Sequence, residues 1–237
     1  MAIMGGRTAL TAFLALTCLA TSGASAQSTK KAVPADPIAV GLSAQETQTS
    51  RTADAMSSQE IELIDKVSAY FNQMSSLKGE FVQTSAGGSR LRGKFYVKRP
   101  GRFRLDYARP SRLVIVADGR YLAIQDHDLK TDDRWELDQT PFGALLRQDV
   151  NLLRDARFFD VQEAEDTIII AFEDKNQQAA GPLKMFLAKK PTLELRKWTT
   201  KDLRGLETLI ELSNMTRVDD FGPDLFKPAP VVLDRLR

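Results

Sequence analysis

The 237-residue chain carries 33 Lys and Arg against 31 Asp and Glu, a formal charge of +2, and so lacks the basic excess of a nucleic-acid binder. One cysteine, Cys18, and one histidine, His127, exclude a disulfide framework and a thiolate metal site. The length suits one domain with a tail.

In chain order, Arg7 gives a short positive region, LTAFLALTCLA an apolar run too short to span a bilayer, and Ala24-Ser25-Ala26 a small-residue cleavage signal. Residues 1–26 read as a signal peptide cut before Gln27, which predicts a soluble extracytoplasmic product. Thr17 beside Cys18 does not suit a lipoprotein signal. From Gln27 to Met56 the chain is Ala, Ser, Thr, Gln and Pro with few large apolar residues, too few to offset chain entropy. Residues 27–56 are expected to be a disordered leader, and 57–237 the folded domain.

Order is predicted to begin at SSQEIELIDKVSAYFNQM. Ser57 and Glu60 fit a capping box, and Leu63, Val67, Tyr70 and Met74 recur at helical spacing, with Ile61, Ile64 and Phe71 widening the stripe. After Gly79 the pattern alternates, predicting eleven strands near 79–84, 90–99, 102–107, 112–117, 120–125, 132–137, 158–163, 167–173, 182–189, 193–201 and 205–216. Gly87-Gly88, Asp118-Gly119, Gly181-Pro182 and Arg204-Gly205 mark turns, and short connections imply antiparallel neighbours. One interruption, TPFGALLRQDVNLLRD, offers Thr140 as a cap, Pro141 at a first helical position and Gly143 and Asn151 as breaks between two short helices.

Eleven strands must curl to hide one face, and only the opening helix and the pair near 141–155 can cover it. The expected architecture is mainly β: a curved, incompletely closed antiparallel barrel with a helical plug. Its interior is either filled by side chains or encloses a ligand cavity. Phe81, Leu91, Phe95, Val97, Phe103 and Leu105 from strands, with Leu145 and Leu146 from the plug, are the candidate lining; alternation does not separate lining from packed core. Counting by twos from Leu91 passes Gly93, Phe95 and Val97 to Arg99, which places a guanidinium on the apolar side, where it needs acceptors.

Chemistry is sparse. His127 sits in DHDLKTDD with no serine elbow, and Asp126, Asp128, Asp132 and Asp133 lack the glycine turn and terminal glutamate of a calcium loop. No phosphate-binding or dinucleotide fingerprint is present, so no metal, ATP or cofactor is expected. The basic stripe Arg90, Arg92, Lys94, Lys98, Arg102 and Arg104 reads as a solvated face or as a surface for an acidic partner or anionic headgroups.

The signal, the opening helix, GEFVQTS, GKFYVKRPGRFRLDYARPSRLVIVADGRYL, TPFGALL and FKPAP together resemble the periplasmic outer-membrane lipoprotein carrier family, LolA, over roughly residues 57–230. The resemblance implies an incomplete barrel under a helical lid, with a hydrophobic cavity for the acyl chains of lipoproteins released by the inner-membrane ABC transporter LolCDE. It places the family's cavity-facing arginine on Arg99, as a lid latch satisfied by acceptors on the lid, backbone carbonyls of the 141–155 helices. Leu105 and Tyr107 stand where relatives often have tryptophan, and the leader has no counterpart. The receptor LolB is itself a lipoprotein, so the poor lipobox favours the soluble carrier. The expectation is a monomeric periplasmic chaperone with acylated lipoproteins as cargo, LolCDE as donor and LolB or another outer-membrane acceptor. The other readings are a carrier or sensor of another amphiphile in the same fold and a structural protein with a solid core. An enzyme is least favoured, for want of a nucleophile and base.

Overall fold

The helical stripe and the alternating strands meet in one architecture. The computed structural model of the protein describes residues 50–52, 55–140, 142–175, 182–202 and 204–231. The expected signal peptide and most of the expected leader lie outside these residues, as does Gly181 of one expected turn.

Helix α1 runs Ser58–Gln73. Ser57 Oγ accepts from the Glu60 amide at 3.3 Å, and the Glu60 carboxylate accepts from the Ser57 amide at 2.8 Å, closing the capping box legible in SSQE. Those bonds hold the Glu60 carboxyl below its ordinary value. Leu63, Ile64, Val67 and Phe71 are buried on one side of the helix, each contributing about 1.5–3 kcal/mol. Ahead of the helix, Arg51 pairs antiparallel with Phe158 through bonds of 2.6 and 3.0 Å and bridges Glu60 at 2.8 Å.

Eleven strands form one antiparallel sheet: β1 Ser76–Thr84, β2 Arg90–Lys98, β3 Arg102–Tyr107, β4 Leu113–Asp118, β5 Tyr121–Asp126, β6 Thr131–Glu136, β7 Ala156–Glu163, β8 Thr167–Asp174, β9 Leu183–Ala188, β10 Glu194–Lys201 and β11 Glu207–Arg217. Their order is β6-β5-β4-β3-β2-β1-β11-β10-β9-β8-β7. The first and last strands therefore pair at the centre, while β6 and β7, consecutive in the chain, are the two free edges. The sheet does not close into a barrel. Edge strand β6 carries Asp132, Asp133, Arg134 and Glu136, charges that discourage further pairing, and β7 is bridged by Arg51.

The chain from one edge to the other holds a 3₁₀ turn at Leu137–Gln139 and the short helices α2 Gly143–Leu146 and α3 Leu152–Asp155. Thr140 does not cap α2: its amide and hydroxyl both donate to the Leu137 carbonyl, at 3.0 and 2.7 Å, closing the 3₁₀ turn instead. Phe142 occupies the cap position of α2, and Asn151 caps α3, accepting from the Arg154 amide at 2.9 Å.

Curvature comes from register shifts at Lys78/Glu80, Leu195/Lys197 and Phe158/Asp160, and from two glycines. Gly79 pairs with Phe95 and Gly93 with Phe81, and each phenyl ring covers its glycine. A Cβ on Gly79 would meet the Phe95 ring at 2.6 Å, and one on Gly93 the Phe81 ring at 2.7 Å and the Asp106 carbonyl. These close approaches let the rings lie over the inner face.

The C-terminal segment packs on the other face. Phe226 is buried, Phe221 stacks edge-on against Tyr96 and Phe226, Arg104 donates to the Leu225 carbonyl at 3.0 Å, and Gln125 exchanges bonds of 2.6 and 3.1 Å with Ala229. The FKPAP motif thus braces the outer face of β2–β5. Gly93→Ala should overpack the inner face and cost about 1–3 kcal/mol, read by thermal unfolding as a midpoint lowered by about 2–4 °C per kcal/mol.

Candidate functional site

The inner faces of β1–β3 and β9–β11, with α1 and α2 across them, enclose an apolar cavity. Strands β2 and β3 contribute Phe95, Val97 and Phe103; β9 and β10 contribute Leu183, Met185, Leu195 and Trp198; Leu77, Leu212 and Met215 come from β1 and β11. Tyr70, Phe71 and Met74 enter from the end of α1, and Phe142, Leu145 and Leu146 from the α2 segment. The enclosed room is about 70 Å³, whereas pockets that take drug-sized ligands run to about 300–1,000 Å³.

Of the residues expected to line a cavity, Phe95, Val97, Phe103, Leu145 and Leu146 do so. Phe81, Leu91 and Leu105 lie outside the lining. Phe81 packs on Gly93 and edge-on to Tyr107, Leu105 is in the packed core, and Leu91 is only partly buried at its margin. Alternation identified the correct face for all three but not their height along it. Leu183, Met185 and Trp198 lie outside the expected lining; LKMFLA carries the same alternation, whereas in LRKWTTK the register shift at Leu195/Lys197 puts Leu195 and Trp198 three residues apart and breaks the period. They face β2 and β3 only because the β1–β11 pairing joins the two halves of the sheet.

Phe142 is wedged between the walls, 5.5 Å from Phe103 of β3 and 6.0 Å edge-on from Trp198 of β10. The covering segment thus fills the middle of the cavity with its own aromatic ring. Polar bonds fasten its far side. Asn72 of α1 donates to the Val150 carbonyl and accepts from the Val150 amide, both at 2.9 Å; Ser68 accepts from the Leu152 amide at 3.2 Å, and Gly101 donates to the Leu146 carbonyl at 2.8 Å.

Arg99, one residue past β2, projects into this junction. Its guanidinium donates to the Phe71 carbonyl in the last turn of α1, to the Arg147 carbonyl, to the Gln148 carbonyl at 3.2 Å and to Asn72 Oδ1 at 3.4 Å. The Arg147 and Gln148 carbonyls lie within the expected 141–155 segment, in the loop between its two helices, while the other two acceptors, the Phe71 carbonyl and Asn72 Oδ1, come from α1. Burial pulls the guanidinium below its usual pKa while the Asp149 carboxylate opposes the shift; the side chain stays charged. Arg147 is itself held by Asp174, at 2.8 Å, and Asp155, at 3.4 Å.

The remaining candidate polar residues are occupied locally. Asp126 Oδ1 accepts the Asp128 and Leu129 amides at 2.8 and 2.9 Å, Asp128 accepts the Arg112 amide at 3.2 Å, and Asp132 pairs with Arg134 at 2.8 Å. They build the β5–β6 hairpin and its neighbours. In the basic stripe, Lys98 bridges Asp220 and Arg104 bridges Asp106, while Arg90, Arg92, Lys94 and Arg102 are exposed.

The protein is thus an open, curved antiparallel sheet around an apolar cavity, with a covering segment fastened through backbone carbonyls. The family described as outer membrane lipoprotein carrier protein LolA matches residues 72–229, and the chain belongs to that family. An outer-membrane lipoprotein carrier protein of Haemophilus ducreyi is 31% identical, over 75% of this chain and 82% of its own. One from Nitrosomonas europaea is 26% identical, over 70% and 84%. Among solved structures, a LolA-superfamily protein of Nitrosomonas europaea is similar at 11% identity and a TM-score of 0.43, over 71% of this chain and 97% of its own.

Replacing Asn72 by Ala removes both bonds to Val150, a loss of about 1–3 kcal/mol of local stability. The Val150 amide should then exchange with solvent from about fivefold to over a hundredfold faster, measured by hydrogen exchange, with the core amides of β1 and β11 unchanged.

Proposed function

We propose that this protein is a periplasmic chaperone that hides the acyl chains of lipoproteins in the cavity and carries them between membranes. The carrying observation is Arg99: a guanidinium at an otherwise apolar cavity, bonded to the carbonyls of α1 and of the segment that covers it. Such an arrangement is a latch. Family membership and the relatives' name, outer-membrane lipoprotein carrier protein, supply the cargo class.

Each buried methylene is worth about 0.8 kcal/mol, so a multiply acylated polypeptide needs a shelter to cross water. A cavity that only welcomed acyl chains would not release them. Here the closed state competes with cargo: Phe142, Leu145 and Leu146 occupy the apolar space, and charge-assisted bonds of Arg99, each about 1.5–3 kcal/mol, hold them there. Cargo must displace both, and its departure restores both. An energised donor is therefore required, which fits the inner-membrane transporter LolCDE, with LolB or another outer-membrane acceptor taking cargo downhill.

Arg99→Leu removes the latch and adds apolar surface. The variant should hold cargo more tightly and pass it on poorly, with a shift of about 1.4 kcal/mol changing the ratio tenfold. Arg99→Lys should rescue only in part, since an ammonium cannot span several carbonyls as the planar fork does. The measurement loads wild type and both variants from donor membranes, then follows transfer to acceptor membranes. Transfer by Arg99→Leu equal to wild type would overturn the latch, and recovery of free lipid rather than acylated polypeptide from the native protein would favour another amphiphile as cargo.

A further inference from the structure

Three of the residues lining the cavity carry polar side-chain atoms: Arg99, Tyr70 and Trp198. The Tyr70 hydroxyl is engaged, accepting the Leu195 amide at 3.1 Å, and the remaining one is the indole of Trp198. This residue lies on β10, opposite Met185 of β9 and Ile210 of β11, is 7% exposed and lines the cavity. Among the described residues its Nε1 is buried with no hydrogen-bond acceptor, as is Arg99 Nε. An indole N–H can only donate. Buried donors are almost always paired, so a tryptophan whose donor is unpaired in the closed form, at the wall of a ligand cavity, stands out against phenylalanine, which would have filled the same space.

Phe142 of the covering segment meets the Trp198 ring edge-on at 6.0 Å. Withdrawal of the α2 segment removes that ring and opens a slot between Phe103 and Trp198. A hydrocarbon chain entering the slot satisfies the apolar walls and leaves the indole unpaired. A chain that carries a carbonyl oxygen at its head satisfies both.

We infer that Trp198 is a specificity-determining residue whose Nε1–H donates to an acyl carbonyl oxygen of the cargo, so that the cavity selects acyl esters or amides over plain hydrocarbon and alkyl ethers. This rests on the carrier reading above and deepens it. The carbonyl oxygen is a strong acceptor and an ether oxygen a poorer one, and both linkages deliver the same chains to the same walls. The indole thus fixes the depth to which a chain is swallowed, stopping it where its linkage begins.

The test compares lipids matched in chain number and length: a dipalmitoyl glycerol ester, its analogue with both chains in amide linkage and a dihexadecyl glycerol ether. Displacement of an environment-sensitive fatty probe from the full folded protein gives the affinities. Wild type should prefer the ester, the amide or both over the ether about tenfold, equivalent to about 1.4 kcal/mol, and the two carbonyl arms tell which linkage is read. Trp198→Phe should bring the ratios to within about twofold while still binding the ether lipid. The ratio cancels any general loss of packing in the variant. Should Trp198→Phe fail to fold, the indole N–H resonance of wild type, assigned with Trp135→Phe, decides: it should move downfield with a carbonyl lipid and not with the ether. Equal binding of all three lipids by wild type, or an undiminished preference in Trp198→Phe, overturns the role of Trp198 and leaves the carrier reading standing. Binding of none of them by folded wild type overturns both.

Discussion

The guanidinium of Arg99 gathers carbonyl oxygens from two separate elements. In the last turn of α1 the Phe71 carbonyl accepts the Met74 amide at 3.2 Å and takes the guanidinium as a second donor. The loop joining α2 and α3 presents two more, from Arg147 and Gln148. One planar cation joins the two elements and adds a positive charge near the C-terminal end of α1, where the helix dipole favours it. With the bonds of Asn72, Ser68 and Gly101, it ties the end of α1 and the β2–β3 turn to the segment that covers the cavity.

Apolar and polar restraints divide the closed state between them. Phe142, Leu145 and Leu146 make contacts that an acyl chain can replace, since dispersion and burial do not depend on direction. The bonds of Arg99, Asn72 and Ser68 are directional and addressed to particular backbone groups. In the carrier role proposed above, an entering chain exchanges the first set at little net change while the second is lost outright. The connection from β6 to β7 is the natural place for such a segment. It spans the gap between the two unpaired edges, so its displacement disturbs no ladder between strands.

Much of this was written locally in the chain. The capping box of α1, the meander from β2 to β6 and the break between α2 and α3 at Asn151 follow from neighbours within a few residues, and the strands begin and end within about three residues of the alternation. Arg99 on the apolar side also follows from counting. Its partner Phe71, 28 residues earlier, does not, because that pairing depends on where α1 lies over the sheet. Thr140 looks like a helix cap by residue type, yet the preceding 3₁₀ turn claims its hydroxyl. Nor does the sequence place the FKPAP segment on the outer face, since proline-rich termini have no period to read. Periodicity says which side a residue faces, whereas lining a cavity depends on position along the strand and on what the far half of the sheet brings opposite.

The pairing of β1 with β11 sets the order in which the molecule can form. The strands from β1 to β6 and from β7 to β11 join near neighbours through short turns, but the seam between the halves matches Leu77 with Arg217 and Thr84 with Leu209. Contacts between such distant residues form late and slowly, since the chain between them must be ordered first. Until β11 has been made and released, β1 keeps a bare edge in what will become the middle of the sheet, able to pair with strands of other chains. Of the described strands β11 comes last in the chain, and it is the one that turns two meanders into a single vessel; loss of β11 from Glu207 onward would leave the halves without their seam.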